Sequence, residues 1–258
     1  NISLEVNAGE IVAIVGESGS GKSVTALSIL QLLPTPPAKY TSGEILFSSD
    51  GGAVVDLMQQ SPEQLRSIRG NEIAMIFQEP MTSLNPVFTC GYQVQEAIRL
   101  HRKVSREEAK RQTIKLFEQV KLPNPANMFH RYPHAISGGQ KQRVMIAMAM
   151  SCHPRLLICD EPTTALDVTV QKTILQLIKE LQQQGQMGVI FITHDLGVVA
   201  EIADRAIVMY KGNIVEQGTV RDIFTAPQHP YTKGLLACRP VLHPKGERLP
   251  VVSDFLSG

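Results

Sequence analysis

The run Gly16-Glu17-Ser18-Gly19-Ser20-Gly21-Lys22-Ser23 constrains this chain more than any other stretch. It fits G-x-x-x-x-G-K-[ST] without a mismatch, the pattern of a loop that cradles phosphate. Glycines let such a backbone curl until its N–H groups point inward at phosphate oxygens. An apolar run, Glu10–Val15, precedes the loop, and a helix-like segment, Lys22–Leu33, follows it. Strand, loop and helix in that order form the first half of a βαβ unit, with the helix offering its positive end to the same anion. Lys22 is expected to reach the outer phosphates and Ser23 to hold Mg²⁺. The competing reading is a plain flexible glycine turn.

A second apolar run, Leu156-Leu157-Ile158-Cys159, ends in two acids, Asp160 and Glu161. A buried strand would deliver these carboxylates to its C-terminal edge, where open α/β sheets bind ligands. Asp160 is then placed to orient Mg²⁺, and Glu161 to position the attacking water or accept its proton. Paired acids after a strand are common on their own; the phosphate loop gives them meaning. Ser137-Gly138-Gly139-Gln140 opens a helix running to Met150 and makes a second anion-binding surface. One nucleotide carries one triphosphate, so two such surfaces in one chain call for an explanation.

Along the rest of the chain, Ile2–Val6 alternates, Ala8-Gly9-Glu10 turns, and Gly43–Phe47 and Glu72–Phe77 read as strands around a short helix at Glu63–Arg69. Asp50-Gly51-Gly52 reads as a turn. Gln78–Gly91 is a loop, followed by helices at Tyr92–Leu100, Ser105–Val120 and Gly139–Met150, with a capping box at Ser105 and Glu108. Strand signals return at Gly188–Thr193 and Ala206–Tyr210, a helix spans Val170–Gln184, and Lys211-Gly212-Asn213 reads as a hairpin turn. The expected division is one domain, 1–258: core and β subdomain in 1–77 and 154–240, a helical insertion in 78–153, and a tail in 241–258.

Bulk properties narrow the function. The 258 residues carry a formal net charge of +1, without the basic excess of a nucleic-acid binder. Cys90, Cys152, Cys159 and Cys238 form no C-x-x-C pair, which disfavours zinc and redox sites and fits a reducing compartment. No run reaches the roughly 18 apolar residues of a membrane span, and no signal peptide is seen. Asn1 opens in mid-pattern without an initiator Met, so a piece of a longer chain is expected.

Phosphate loop, Gln78, Ser137–Gln140, Leu156–Glu161, Ala165-Leu166-Asp167 and His194 stand in the order and spacing of ABC ATPases, and the chain resembles that family over nearly its whole length. The resemblance implies an α/β fold: a RecA-like P-loop NTPase core, an antiparallel β subdomain and an inserted α-helical subdomain. It implies ATP and Mg²⁺, and two domains stacked head to tail, each ATP lying between one phosphate loop and the partner's Ser-Gly-Gly-Gln. By the same resemblance Gln78 contacts Mg²⁺ or the water and senses the γ-phosphate. His194 contacts the γ-phosphate, and Asp167 fastens the two domains near the nucleotides. Two departures are visible. Ile136-Ser137 stands where most members have Leu-Ser, and the family's adenine-stacking aromatic lies upstream of Asn1.

Phe77-Gln78-Glu79-Pro80-Met81-Thr82-Ser83-Leu84-Asn85-Pro86 and His229-Pro230-Tyr231-Thr232, with Leu235-Leu236, look like the dipeptide, oligopeptide and glutathione importer branch, which nickel importers resemble. The plainer reading of the second segment is a Pro-led helix with Tyr231 in the core. The similarity is strongest to members with two fused ATPase halves, with Leu249–Gly258 leading into a linker. Implied partners are a second ATPase domain, membrane permeases touched through Val87 and Phe88, and indirectly a solute-binding protein; no nucleic acid is expected. The implied location is peripheral, on the cytoplasmic face of the membrane. Rival readings are an ABC ATPase acting on nucleic acid, a module that holds ATP without hydrolysing it, and an exporter motor.

Overall fold

The structure, a computed structural model, describes residues 2–49, 51–78, 83–164, 166–238 and 252–255. Asp50, Glu79–Thr82, Ala165 and nearly all of the 241–258 tail, including most of Leu249–Gly258, lie outside the described residues.

Five parallel strands and one antiparallel edge strand form the main sheet, ordered β4-β5-β6-β1-β7-β8. They are β1 Ile11–Val15, β4 Ile73–Ile76, β5 Leu156–Asp160, β6 Gly188–Thr193, β7 Arg205–Tyr210 and β8 Asn213–Thr219. Every residue of β1 and β6 is buried, so these strands read as continuous apolar runs, as strands covered on both faces must. Helices supply the cover. On one face Ala26 and Leu30, from and just beyond α1 (Lys22–Ile29), pack with Val12, Ile14, Ile158 and Ile190. On the other, Ile174 and Ile178 of α7 (Val168–Gly185) join Leu157, Val189 and Phe191. A smaller antiparallel sheet pairs β2 (Leu46–Ser48) with β3 (Val54–Asp56). Helix α2 (Pro62–Ile68) opens with a full capping box between Ser61 and Gln64.

Between β4 and β5, neighbours in the sheet, the chain makes only helices among its described residues: α3 (Cys90–His101), α4 (Arg106–Gln119), α5 (Pro125–Met128) and α6 (Gly138–Ala149), with short 3₁₀ turns. Helix α8 (Leu196–Ile202) follows β6, and α9 (Val220–Thr225) and α10 (Pro230–Ala237) follow β8. No described helix is long and apolar enough to cross a membrane.

Some local expectations need correction. Ile2–Val6 keeps its alternation, with Ile2, Leu4 and Val6 packed on the core, but forms no strand. Alternation reports a one-sided face; a strand also needs a ladder partner. Helix α1 stops at Ile29 rather than Leu33, because Gln31 turns left-handed at φ 48° before the prolines are reached. The expected strand Gly43–Phe47 is shifted to Leu46–Ser48, and β3 was not expected at all. The Ser105 capping box is half made: Ser105 accepts from the Glu108 N–H, while the Glu108 carboxylate turns to Arg111 and Gln112. The Lys211-Gly212 turn does join two strands, with positive φ at both residues (47° and 78°), as a tight hairpin demands.

Candidate active site

Four adjacent parallel strands end at one level: Ile76 pairs with Cys159, Asp160 with Ile192, and Val15 with Thr193. The residues just past those ends are Gln78, Asp160 with Glu161, His194, and the phosphate loop. Sheet register alone therefore gathers side chains from four distant parts of the sequence on one edge.

The phosphate loop leaves β1 at Gly16 and enters α1 at Lys22. A Cβ at Gly16 would stand 2.2 Å from the Met209 backbone oxygen and 2.8 Å from Ser20 Oγ, so only glycine fits. Gly21 caps α1 at φ 105° with no side-chain bond to the helix start. The N–H groups of Gly19, Gly21, Lys22 and Ser23 bond to no acceptor among the described residues, which makes a cluster of donors backed by the helix dipole. Ser20 Oγ is buried there without a partner. Lys22 Nζ sits at the carbonyls of Gly16 (2.8 Å) and Glu17 (2.9 Å). Burial lowers the pKa of Lys22, and the nearby charges of Glu161, Asp160 and Glu17 oppose that shift. A concave set of unpaired donors with an embedded ammonium fits a polyphosphate.

The acids lie opposite. Ser23 Oγ donates to Asp160 Oδ1 at 3.0 Å. Burial raises the Asp160 pKa despite that bond. These hard oxygen donors suit Mg²⁺. Glu161 adopts a left-handed φ of 46°, a strained backbone at the sheet edge. Its carboxylate receives Gln78 Nε2 at 3.2 Å and Thr164 Oγ1 at 2.8 Å on one oxygen, and lies 3.2 Å from His194 Nδ1 on the other. Burial alone would push this carboxyl up. The bonds from Thr164 and His194, with the charges of His194 and Lys22, outweigh it and hold the pKa below the usual range. Gln78, Glu161 and His194 are thus brought together as one hydrogen-bonded group, and Thr164 belongs with them. Thr164 was missed in the sequence; its only signal is its place three residues after Glu161.

Ser137–Gln140 is built differently. Ser137 and Gln140 form a full capping box at the start of α6 (Gln140 N–H to Ser137 Oγ 3.3 Å, Ser137 N–H to Gln140 Oε1 3.0 Å). A Cβ at Gly139 would come 2.7 Å from Val170 Cγ1, so α6 rests closely on the start of α7. Asp167 caps α7 through the Val170 N–H at 2.9 Å. Among the described residues, no hydrogen bond or ion pair joins this segment to the phosphate-loop group.

Residues 1–164 match the profile of the ABC transporter family. The chain belongs to that family. Residues 215–254 match a second profile, the oligopeptide/dipeptide transporter C-terminal region. The glutathione import ATP-binding protein GsiA of Salmonella choleraesuis is 57% identical over 258 residues, covering 98% of this chain and 41% of that protein. GsiA of Escherichia coli O157:H7 is 58% identical over 242 residues, or 94% and 39%. The chain thus spans about two fifths of the curated relatives it matches. Among solved structures, a dimeric post-hydrolysis state of the ATP-binding cassette MJ0796, bound to ADP and Pi, is 30% identical with a TM-score of 0.73, covering 86% of this chain and 90% of that one. The CbiO1 protein of Clostridium perfringens, part of an ABC transporter complex, gives 27% and 0.71, covering 86% and 82%. The fold class expected from the sequence is therefore the fold found.

Proposed function

We propose that this chain binds and hydrolyses ATP to power import of peptides or glutathione-like small solutes across the cytoplasmic membrane, at whose inner face it works peripherally. The observation that carries the proposal is the Glu161 carboxylate beside the phosphate loop, bonded to Gln78, Thr164 and His194 and held below its ordinary pKa, against burial, by Thr164, His194 and Lys22. The GsiA relatives and the match at 215–254 support the importer branch and its class of solute.

In this reading Gly16–Ser23 wraps the phosphates and Lys22 neutralises the outer ones. Ser23, Asp160 and the Gln78 amide would hold Mg²⁺, which would supply further charge neutralisation there. Glu161 orients a water in line with the γ-phosphorus and takes its proton, and His194 steadies charge on the γ-phosphate oxygens. Ser137–Gln140 serves a second nucleotide on a partner ATPase domain, since it stands apart from this chain's own loop; Asp167 lies at the same junction. Residues 1–77 and 154–240 act as the core with its β subdomain, 78–153 as the lever and 241–258 as the tail. The lever carries the permease-facing surface: Val87 and Phe88 are exposed, Phe88 stacks on Tyr92 at 5.0 Å, and a groove of about 230 Å³ is lined by Phe77, Leu100, His101, Met145 and Met148.

The test is Glu161→Gln. Phosphate release should fall by about a hundredfold or more, while ATP is still bound and now holds two ATPase domains together, as read by light scattering. Turnover at the wild-type rate would overturn the assignment.

A further inference from the structure

The segment His229-Pro230-Tyr231-Thr232, at the start of α10, touches the phosphate loop. Tyr231 is fully buried in α10, 214 positions from its partner, and its hydroxyl accepts the Glu17 N–H at 2.9 Å and donates to Glu17 Oε2 at 3.4 Å. The ring lies 4.2 Å from that of Tyr210, the last residue of β7. Burial pushes the phenol up to about 12, so the hydroxyl stays neutral and keeps both roles. Glu17 is thereby engaged on every side. Its carbonyl receives the Ser20 N–H at 3.2 Å and Lys22 Nζ at 2.9 Å, while Tyr231 takes its N–H. The loop's remaining donors, the N–H groups of Gly19, Gly21, Lys22 and Ser23, are left for the anion.

Helix α10 is itself backed from behind. A Cβ at Gly234 would sit 3.2 Å from the Phe255 ring, so Phe255 packs against the helix. His229 begins α10 by accepting the Tyr231 N–H at 3.1 Å, and Glu216 receives the N–H groups of Gln228 and His229. A chain of contacts therefore runs from Phe255 through α10 to the first turn of the phosphate loop.

We propose that Tyr231 is a positioning residue for the phosphate loop, and that the C-terminal region sets nucleotide affinity by holding Glu17 through α10 backed by Phe255. The inference rests on the ATP-binding reading above. An unanchored loop must be ordered when nucleotide binds, and that ordering weakens affinity without altering the groups that act on the γ-phosphate.

Tyr231→Phe keeps the ring and deletes the hydroxyl. With the full chain and a fluorescent ATP analogue plus Mg²⁺, the dissociation constant should rise about fivefold. KM for ATP should rise with it and kcat stay within about twofold. A merely structural role would lower Tm without moving nucleotide affinity, and that outcome overturns the proposal, as does unchanged affinity. Phe255→Ala, which touches neither loop nor hydroxyl, covers the case in which Tyr231→Phe does not fold: weakened affinity supports the path through α10, and wild-type affinity overturns it. The wild-type and Lys22→Ala chains run alongside. Should wild-type bind no better than Lys22→Ala, the nucleotide-binding reading itself fails, a result distinct from failure of the Tyr231 link.

Discussion

Ser23 Oγ lies 3.0 Å from Asp160 Oδ1, tying the last residue of the phosphate loop to the end of β5 across 137 positions of sequence. Burial raises the Asp160 pKa, so ionising this group in the fold costs stability at neutral pH. Because the folded value lies above the unfolded one, that cost is present above the raised pKa and disappears as pH falls below the ordinary aspartate range. Asp160→Asn keeps an acceptor for Ser23 and removes the charge. The nucleotide-free variant should melt roughly 2–4 °C higher near neutral pH. The gap should close as pH falls toward about 4, and Mg²⁺-dependent turnover should drop about a hundredfold or more. Calorimetry across pH and a phosphate-release assay check the two halves.

Thr164 helps hold the Glu161 carboxyl below its ordinary pKa. Its hydroxyl bond at 2.8 Å is the strongest influence holding the carboxyl down against burial. Thr164→Val preserves shape and removes the bond, so the Glu161 pKa rises. A carboxylate that must be ionised to act then loses activity at a higher pH. The acid limb of the kcat profile should move upward, with turnover at pH 8 within a few-fold of wild type. An unmoved acid limb would show that Thr164 does not tune this group.

Gly16→Ala tests the loop's steric demand. The added methyl would meet the Met209 backbone oxygen at 2.2 Å, and β7 is buried and cannot retreat cheaply. We expect a loss of roughly 2 kcal/mol or more in denaturant unfolding, together with loss of nucleotide binding. Gly19→Ala meets no atom within 4 Å but sits at φ 78°, and should cost about 1 kcal/mol through backbone strain alone.

What the sequence made legible was local. The phosphate loop declared itself through glycine spacing, β1 and β5 through apolar runs, and the β7–β8 hairpin through Lys211-Gly212. Asp160 and Glu161 stood out because they follow an apolar run that reads as a buried strand, whereas Gln78 and His194 were singled out through the family resemblance, and the sheet register brings all four to one edge. What was hidden depends on partners far along the chain. Ile2–Val6 has a strand's pattern and no ladder. β3 is three residues long with an exposed Val54, too short for periodicity to speak. Tyr231 reads as core, and it is core; that its hydroxyl lands on Glu17 follows from the packing of α10 against β7, which no spacing rule encodes.

Ser137 caps a helix and, in the proposed assembly, also meets a nucleotide; substitution can separate the two. Its hydroxyl caps α6 and is part of a reciprocal pair with Gln140, and in the proposed assembly the same hydroxyl and helix tip face a partner's γ-phosphate. Ser137→Ala removes both, and should cost about 1 kcal/mol of stability. Ser137→Asp keeps a good cap and adds a charge that the helix dipole welcomes, so its unfolding midpoint should match or slightly exceed wild type. That same carboxylate would repel a triphosphate brought up by a second domain. In the Glu161→Gln background, Ser137→Asp should therefore abolish ATP-driven pairing while ATP binding to the separate chain, measured by equilibrium dialysis, is unchanged. If pairing survives in Ser137→Asp, the helix tip does not meet a nucleotide; if ATP binding to the separate chain is lost instead, Ser137 serves its own loop and the head-to-tail arrangement is wrong.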